Sequence, residues 1–307
     1  MEQDKKEKAR DFIGPTVLPR DEVQREQWQQ ANRSWWECNP MRYDWKEPIA
    51  AAPGSREYFE EIDRRLFSAT GHFMPYRETP FDPLIEFQSL PDKDVLEIGV
   101  GCGSHAALLS RHAKSFTGID LTEFAVNSAS RRFEVFGLTG RLVRMDAEKM
   151  EFPDQSFDFI WSWGVIDHSS DTRQVLSEMR RVLRPGGHAI TMVFYRSFWQ
   201  YYVMHGFFNG IVRGDLFKTR SLVKTVQRHT DGALARYYTI PEWKELVADF
   251  FKVEEIRVYG GKADLLPLPG GAFKSWVLSM IPDRLTRFIS NDLRQGWFLV
   301  SRLQRKD

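Results

Sequence analysis

Cysteine is scarce in this 307-residue chain: Cys38 and Cys102 are the only two, far apart and in no CxxC or Cys/His spacing. That excludes a disulfide framework and a cysteine-based metal site, and it fits a reducing compartment. Long apolar runs are missing as well. Nowhere do 18 apolar residues follow one another, so no membrane-spanning helix is expected. Charge of one sign is not in excess either: 43 Lys+Arg stand against 42 Asp+Glu, a formal net charge of +1. This removes the usual argument for a nucleic-acid partner, which needs a basic surplus or cluster. Residues 2–8 are charged or polar with no apolar stretch behind them, so no secretory signal is expected and the expected location is the cytoplasm. What the chain does hold is 42% hydrophobic and 14% aromatic residues, enough for a buried core and too much for a disordered chain.

Three textures divide the chain. Residues 1–90 are charged, then aromatic, with Trp28, Trp35, Trp36, Tyr43 and Trp45 close together. Tyr58, Ile62 and Leu66 at helical intervals predict an amphipathic helix over 55–68. We read this part as an N-terminal helical and aromatic cap. Residues 91–307 read as a second unit of alternating strands and helices. Strands are expected at 95–98, 115–120, 142–146, 157–161 and 188–194, with helices at 122–136 and 172–183. A parallel sheet with right-handed crossovers follows. Two insertions, at about 195–235 and 260–295, interrupt the alternation. The first interleaves aromatics with Arg and Lys, and the second carries an apolar piece at 276–281. Between and after them a helix at 241–250 and strands at 253–258 and 297–303 complete the expected order.

Chemistry concentrates at the ends of the expected strands. The first runs directly into Gly99-Val-Gly-Cys-Gly103, a turn in which backbone can approach a ligand lying across the strand ends. Glu97, inside that strand, suits a cationic ligand better than a pyrophosphate. The loop also lacks the last small residue of G-x-G-x-x-G, which weighs against a nicotinamide dinucleotide. Asp120 ends the second strand about twenty residues on, where a carboxylate can accept ribose hydroxyls. Asp146, followed by Ala147, ends the third and could accept an adenine amine. Either aspartate taken singly could equally be a turn cap.

Together these motifs resemble the class I S-adenosylmethionine-dependent methyltransferases. The resemblance is carried by Glu97-Ile-Gly-Val-Gly-Cys-Gly103, Gly118-Ile-Asp120-Leu121, Met145-Asp146-Ala147, Phe157-Asp158-Phe-Ile-Trp161 and Leu183-Arg-Pro-Gly-Gly-His188. It implies a doubly wound, Rossmann-like α/β sheet of seven strands. The implied cofactor is S-adenosylmethionine, leaving as S-adenosylhomocysteine. The implied cofactor site is Glu97, Gly99, Gly101, Gly103, Asp120, Leu121, Asp146 and Ala147, with backbone around Ser162 and Trp163 as its floor. The stretch Trp163-Gly-Val-Ile-Asp-His168 and the aromatic segment around Trp36 look like the members acting on small molecules, quinones and lipids.

The expected reaction is methyl transfer to a small-molecule or lipid-like acceptor. The cofactor's methyl is already activated on a sulfonium, so the protein's work is alignment and exclusion of water. A hydroxyl or carbon acceptor also needs a base, and His168 after the fourth strand is the first candidate, with Asp167 as the residue that could fix its tautomer. His105 and His205 are weaker candidates. Trp36, Tyr43 and Trp45 read as a lid, and Tyr195, Tyr201 and His205 as an acceptor wall. Core packing accounts for any one of these rings equally well. A thiol or amine acceptor would need no base, and a non-catalytic cofactor-binding protein with a protein partner is a further reading. The aromatic insertions also leave peripheral contact with a membrane open. Cys102, within the loop, reads as a small packing residue.

Overall fold

The computed structural model describes residues 12, 14, 17–44, 47–268 and 271–307. Its centre is one twisted sheet. The strands are β1 (Asp94–Ile98), β2 (Ser115–Asp120), β3 (Arg141–Arg144), β4 (Phe157–Trp163), β5 (Leu183–Tyr195), β6 (Tyr237–Tyr238), β7 (Phe251–Tyr259) and β8 (Phe298–Arg305). Their order across the sheet is β3-β2-β1-β4-β5-β8-β7, with β6 pairing beside β5. Seven strands were expected in a parallel sheet. The structure adds the two-residue β6 and sets β8 antiparallel between β5 and β7.

Alternation along the strands sorts the core onto two faces. Leu96, Ile160, Ala189 and Leu303 join Leu176, Met179, Trp243 and Val247 in one cluster. Val95, Trp161, Ile190 and Val300 join Phe81, Leu109 and Phe133 in the other. Trp243 is fully buried and its indole N–H donates to Ser301 Oγ at 3.0 Å, so its polar edge is satisfied inside the core.

The helices are α1 (Glu22–Cys38), α2 (Arg56–Phe73), α3 (Ser104–Ser110), α4 (Glu123–Phe136), α5 (Thr172–Val182), α6 (Asp215–Thr219), α7 (Leu222–Arg228), α8 (Ile240–Val247), α9 (Ala272–Ser279) and α10 (Asp283–Arg287). Their starts follow side-chain chemistry. Ser55 caps α2, Thr122 caps α4, and Thr239 with Glu242 forms a reciprocal capping box on α8. The first insertion is helical. Phe198–Val212 forms a wide helix with π-type hydrogen bonding, followed by α6 and α7. The second holds α9, α10 and a short π-type turn at Phe288–Asp292.

Topology decides where these parts meet. Because β8 runs against both β5 and β7, Phe194 and Tyr259 both pair with Phe298. The C-terminal ends of β5 and β7 therefore lie on the same sheet edge as the C-terminal ends of β1 and β4. Both insertions spring from that edge.

Candidate functional site

A cavity of about 740 Å³ opens at this edge, large within the range of about 300–1,000 Å³ usual for ligand pockets. The loop after β1, the ends of β2 and β4, and Asp146-Ala147 after β3 line one part of it; Trp36 and Tyr43 cover it, and His229, Trp297 and Phe298 line it from the insertion side.

The loop adopts left-handed backbone at Gly99, Gly101 and Gly103, with φ of +83°, +51° and +81°. A Cβ built on Gly101 would meet no protein atom within 4 Å, so this backbone fronts open space where a ligand can approach it. Arg132 of α4, fully buried, holds the loop from behind. Its guanidinium donates to the Cys102 carbonyl at 2.8 Å, to both Asp63 oxygens at 2.8 Å and to Ser104 Oγ at 3.3 Å.

Asp120 Oδ2 accepts from Gly101 N at 3.1 Å, and its Oδ1 accepts from the Thr122 N–H at 3.0 Å and the Thr122 hydroxyl at 2.8 Å. Burial nevertheless raises its pKa above the usual carboxylate range, with these bonds acting the other way. Asp146 Oδ1 accepts from Gln29 Nε2 and from Glu148 N, both at 2.8 Å. Gln29 comes from α1, so the cap closes directly onto the end of β3. Glu37 of the same helix accepts from Glu123 N and Phe124 N at 2.9 Å, adding a carboxylate to the first turn of α4.

Glu97 was expected to face the pocket. It is completely buried and is not among the lining residues. Both carboxyl oxygens lack a hydrogen-bond partner among the described residues. Burial, then Asp120 nearby, pushes its pKa well up. His105 stands 3.8 Å away, beyond hydrogen-bond reach, and burial lowers its pKa to about 3. His105 lines the cavity against the ring of Phe81.

His168 lines the cavity, 6% exposed, between the edges of Trp36 and Phe194. Its Nδ1–H donates to the Leu234 carbonyl at 2.8 Å, which leaves the lone pair of the neutral ring on Nε2. The tautomer was expected to be held by Asp167. Asp167 instead accepts from Phe194 N at 3.2 Å and is not a lining residue. The loop that holds His168 passes close: a Cβ on Gly232, whose φ is +83°, would come within 2.4 Å of His168 Nδ1.

Leu121, Ala147 and Trp163 line the cavity, as do Trp36 and Tyr43; Trp45 lies outside the described residues. Ser162 is fully buried and does not reach the cavity surface. The acceptor wall is made differently from expectation. Tyr195, Tyr201 and His205 are not lining residues. Tyr201 is buried against Tyr237, and His205 packs on Trp297 with its pKa lowered to about 4 by burial. The wall they support is formed instead by Tyr237, Trp297 and Phe298 and by His229, Thr230 and Asp231. His229 Nε2–H donates to Asp215 Oδ2 at 2.8 Å, and this bond leads the effects that hold Asp215 below the usual carboxylate range. His229 carries no local motif, and only the fold of the first insertion brings it to the site. Cys102 is buried as expected, its thiol pushed up to about 11. Among the described residues no cluster of His, Cys, Asp and Glu is arranged to hold a metal ion.

Residues 96–191 match the family model described as a methyltransferase domain. Over 101 residues the chain is 39% identical to a phthiotriol/phenolphthiotriol dimycocerosates methyltransferase of Mycobacterium tuberculosis, covering 32% of this chain and 37% of that one. It is 37% identical over 98 residues to a phosphatidylethanolamine N-methyltransferase of Cereibacter sphaeroides, covering 31% and 48%. A sterol 24-C-methyltransferase of Gibberella zeae is 37% identical over 100 residues, covering 32% and 26%. The match thus spans less than half the length of each relative. Among solved structures, the cyclase SpnF superposes with a TM-score of 0.53 at 14% identity, covering 95% of this chain and 98% of that one. A putative methyltransferase of Haloferax volcanii, solved with the Trm112 activator, gives 0.52 at 17%, covering 81% and 96%. Such identities speak for the fold alone.

The strand order, the glycine loop and the acidic strand ends define a class I methyltransferase fold. Within it, residues 96–191 match a methyltransferase domain, and the cofactor that domain implies is S-adenosylmethionine. The residues present suit that cofactor. Open space fronts the Gly101 backbone, and the carboxylates Asp120 and Asp146 line the same cavity at the strand ends.

Proposed function

We propose that this protein transfers a methyl group from S-adenosylmethionine to the hydroxyl or acidic carbon of a lipid-like small molecule. The observation that carries the reading is one continuous cavity. Its lining runs from the glycine loop, Asp120 and Asp146 to a separate wall of Phe194, Tyr237, Trp297 and Phe298. That wall offers mostly aromatic surface, suited to an acceptor with a large apolar part. The similar methyltransferases that act on phosphatidylethanolamine, a sterol and phthiotriol dimycocerosates support an acceptor of this class.

The bound cofactor supplies a methyl already activated on sulfur. The chain's own residues do the rest. Gly101 backbone and Asp120 bind the ribose end, and Asp146 receives the adenine amine, through its second oxygen or in exchange for Gln29. Trp36 and α1 exclude water. His168 accepts the acceptor's proton on Nε2, its ring held by Leu234 through Nδ1. His229 is the rival base, since its bond to Asp215 likewise leaves Nδ1 with the lone pair.

The test uses methyl-labelled S-adenosylmethionine, the purified protein, and lipid and aqueous extracts offered separately. Label is expected in the lipid fraction. Label only in the aqueous fraction rejects the lipid-like acceptor. Cofactor binding without any transfer rejects the catalytic reading and favours a cofactor-binding protein.

A further inference from the structure

The helix Phe198–Val212 contains no charged residue, yet Phe198, Phe207, Ile211 and Val212 are 48–68% exposed. The second insertion repeats the feature. Helix α9 buries none of its side chains, and Phe273, Trp276 and Met280 are 60–66% exposed, followed by exposed Leu285, Phe288 and Leu293. Scattered apolar residues on a surface are ordinary, but two whole segments of them at one edge are not. Both rise from the sheet edge where the cavity opens. Trp199 N donates to Gln295 Oε1 at 3.1 Å, joining the base of one insertion to the other. Asn291 Nδ2 donates to the Phe73 carbonyl at 2.9 Å, tying the second to the end of α2, whose Phe73 lines the cavity.

The charge around these rings is one-sided. From 198 to 230 the first insertion carries Arg213, Lys218, Arg220, Lys224 and Arg228 against Asp215 alone. From 271 to 295 the second carries Lys274, Arg284, Arg287 and Arg294 against Asp283 and Asp292. The chain as a whole has a net charge of only +1, so the surplus is local to this rim. Neither segment can span a bilayer. The longer is 15 residues, and no helix among the described residues is long and apolar enough to cross. Exposed aromatic and aliphatic rings flanked by Arg and Lys are what a helix lying in the lipid headgroup region needs.

We propose that the two insertions form a docking surface for an anionic lipid bilayer, placing the cavity mouth against the membrane from which the acceptor is taken. The occupant is a lipid surface because the rim pairs apolar rings with uncompensated positive charge. This rests on the lipid-like acceptor proposed above, but it is tested without that reaction.

The full-length protein is floated with vesicles of phosphatidylcholine alone and with vesicles containing about one third phosphatidylglycerol. Partitioning is expected to rise about tenfold or more with the anionic lipid, as several basic residues near the surface require. The double variant Phe273→Glu/Trp276→Glu should lose most of it. Arg220→Glu/Lys224→Glu should lose the preference for phosphatidylglycerol. Both pairs are exposed or at the rim, and an unchanged thermal shift with S-adenosylmethionine confirms that each variant is folded. Partitioning that is absent, or equal in the variants and the parent, overturns the proposal. So does light scattering that shows a dimer which Phe273→Glu/Trp276→Glu converts to monomer, since a second copy would then own the surface. Vesicle binding without methyl transfer would leave the docking surface standing and reject the proposed function; transfer without vesicle binding would do the reverse.

Discussion

The chemistry of the site turns on how single side chains are held. Asp120 already accepts three protein hydrogen bonds, so its carboxylate is fixed before any ribose arrives. Asp120→Ala is expected to weaken S-adenosylmethionine binding about 10- to 100-fold, the loss of charge-assisted bonds worth about 1.5–3 kcal/mol. Unchanged affinity by calorimetry would remove Asp120 from the cofactor site. The two imidazoles are separated by kinetics. His168→Ala should lower turnover about 100- to 10,000-fold with cofactor affinity intact. If His229→Ala does this instead, the base belongs to the His229–Asp215 pair. If neither does, the acceptor is an amine or thiol that needs no base.

At the level of elements, the cap and the cofactor loop are clamped by groups that look ordinary in sequence. Arg132 on α4 is buried and ties the helix to the loop and to Asp63 of α2. Arg132→Ala leaves buried acceptors unpaired and should cost about 3–5 kcal/mol, read as a lower denaturation midpoint. Glu37 spans from α1 to the start of α4. Glu37→Ala should cost only about 0.5–2 kcal/mol, in the range of a lost helix cap, while raising the cofactor dissociation rate because α1 is released from one of its anchors. A normal off-rate by stopped flow would show that α1 is no lid.

Across the whole molecule, buried acids set how stability follows pH. Glu148 accepts from Ser170 Oγ and Asp171 N, but burial still raises its pKa to about 7. Glu97 is raised in the same direction. Between about 4.5 and 7 the folded state keeps a proton on Glu148 that the unfolded chain has released. The contribution of Glu148 therefore falls as pH rises through that window and levels off above it, while the buried His105 and His205, with lowered pKa, contribute in the opposite sense. Glu148→Gln should raise the melting temperature at pH 7.5 relative to that at pH 5, compared with the parent. An unchanged difference between the two pH values would remove Glu148 from the pH dependence.

The sequence alone determined the strand–helix order, the glycine loop and the acids at the ends of β1, β2 and β3. Those signals are local: a buried strand, a tight turn and a capped helix each write their pattern within a few residues. Cap and wall were legible only in part, since aromatics over 28–45 and 195–208 announce burial without saying against what. Tertiary structure decided the rest. Antiparallel β8, which brings both insertions to the cavity edge, left no local trace, because strand direction depends on partners a long way off in sequence. Leu234, not Asp167, holds His168, since neighbours in a chain point apart while a loop 66 residues on passes within 2.8 Å. His229 and Gln29 enter the site for the same reason. The segments that carry them have no motif of their own, and only packing against the sheet edge turns them toward the ligand.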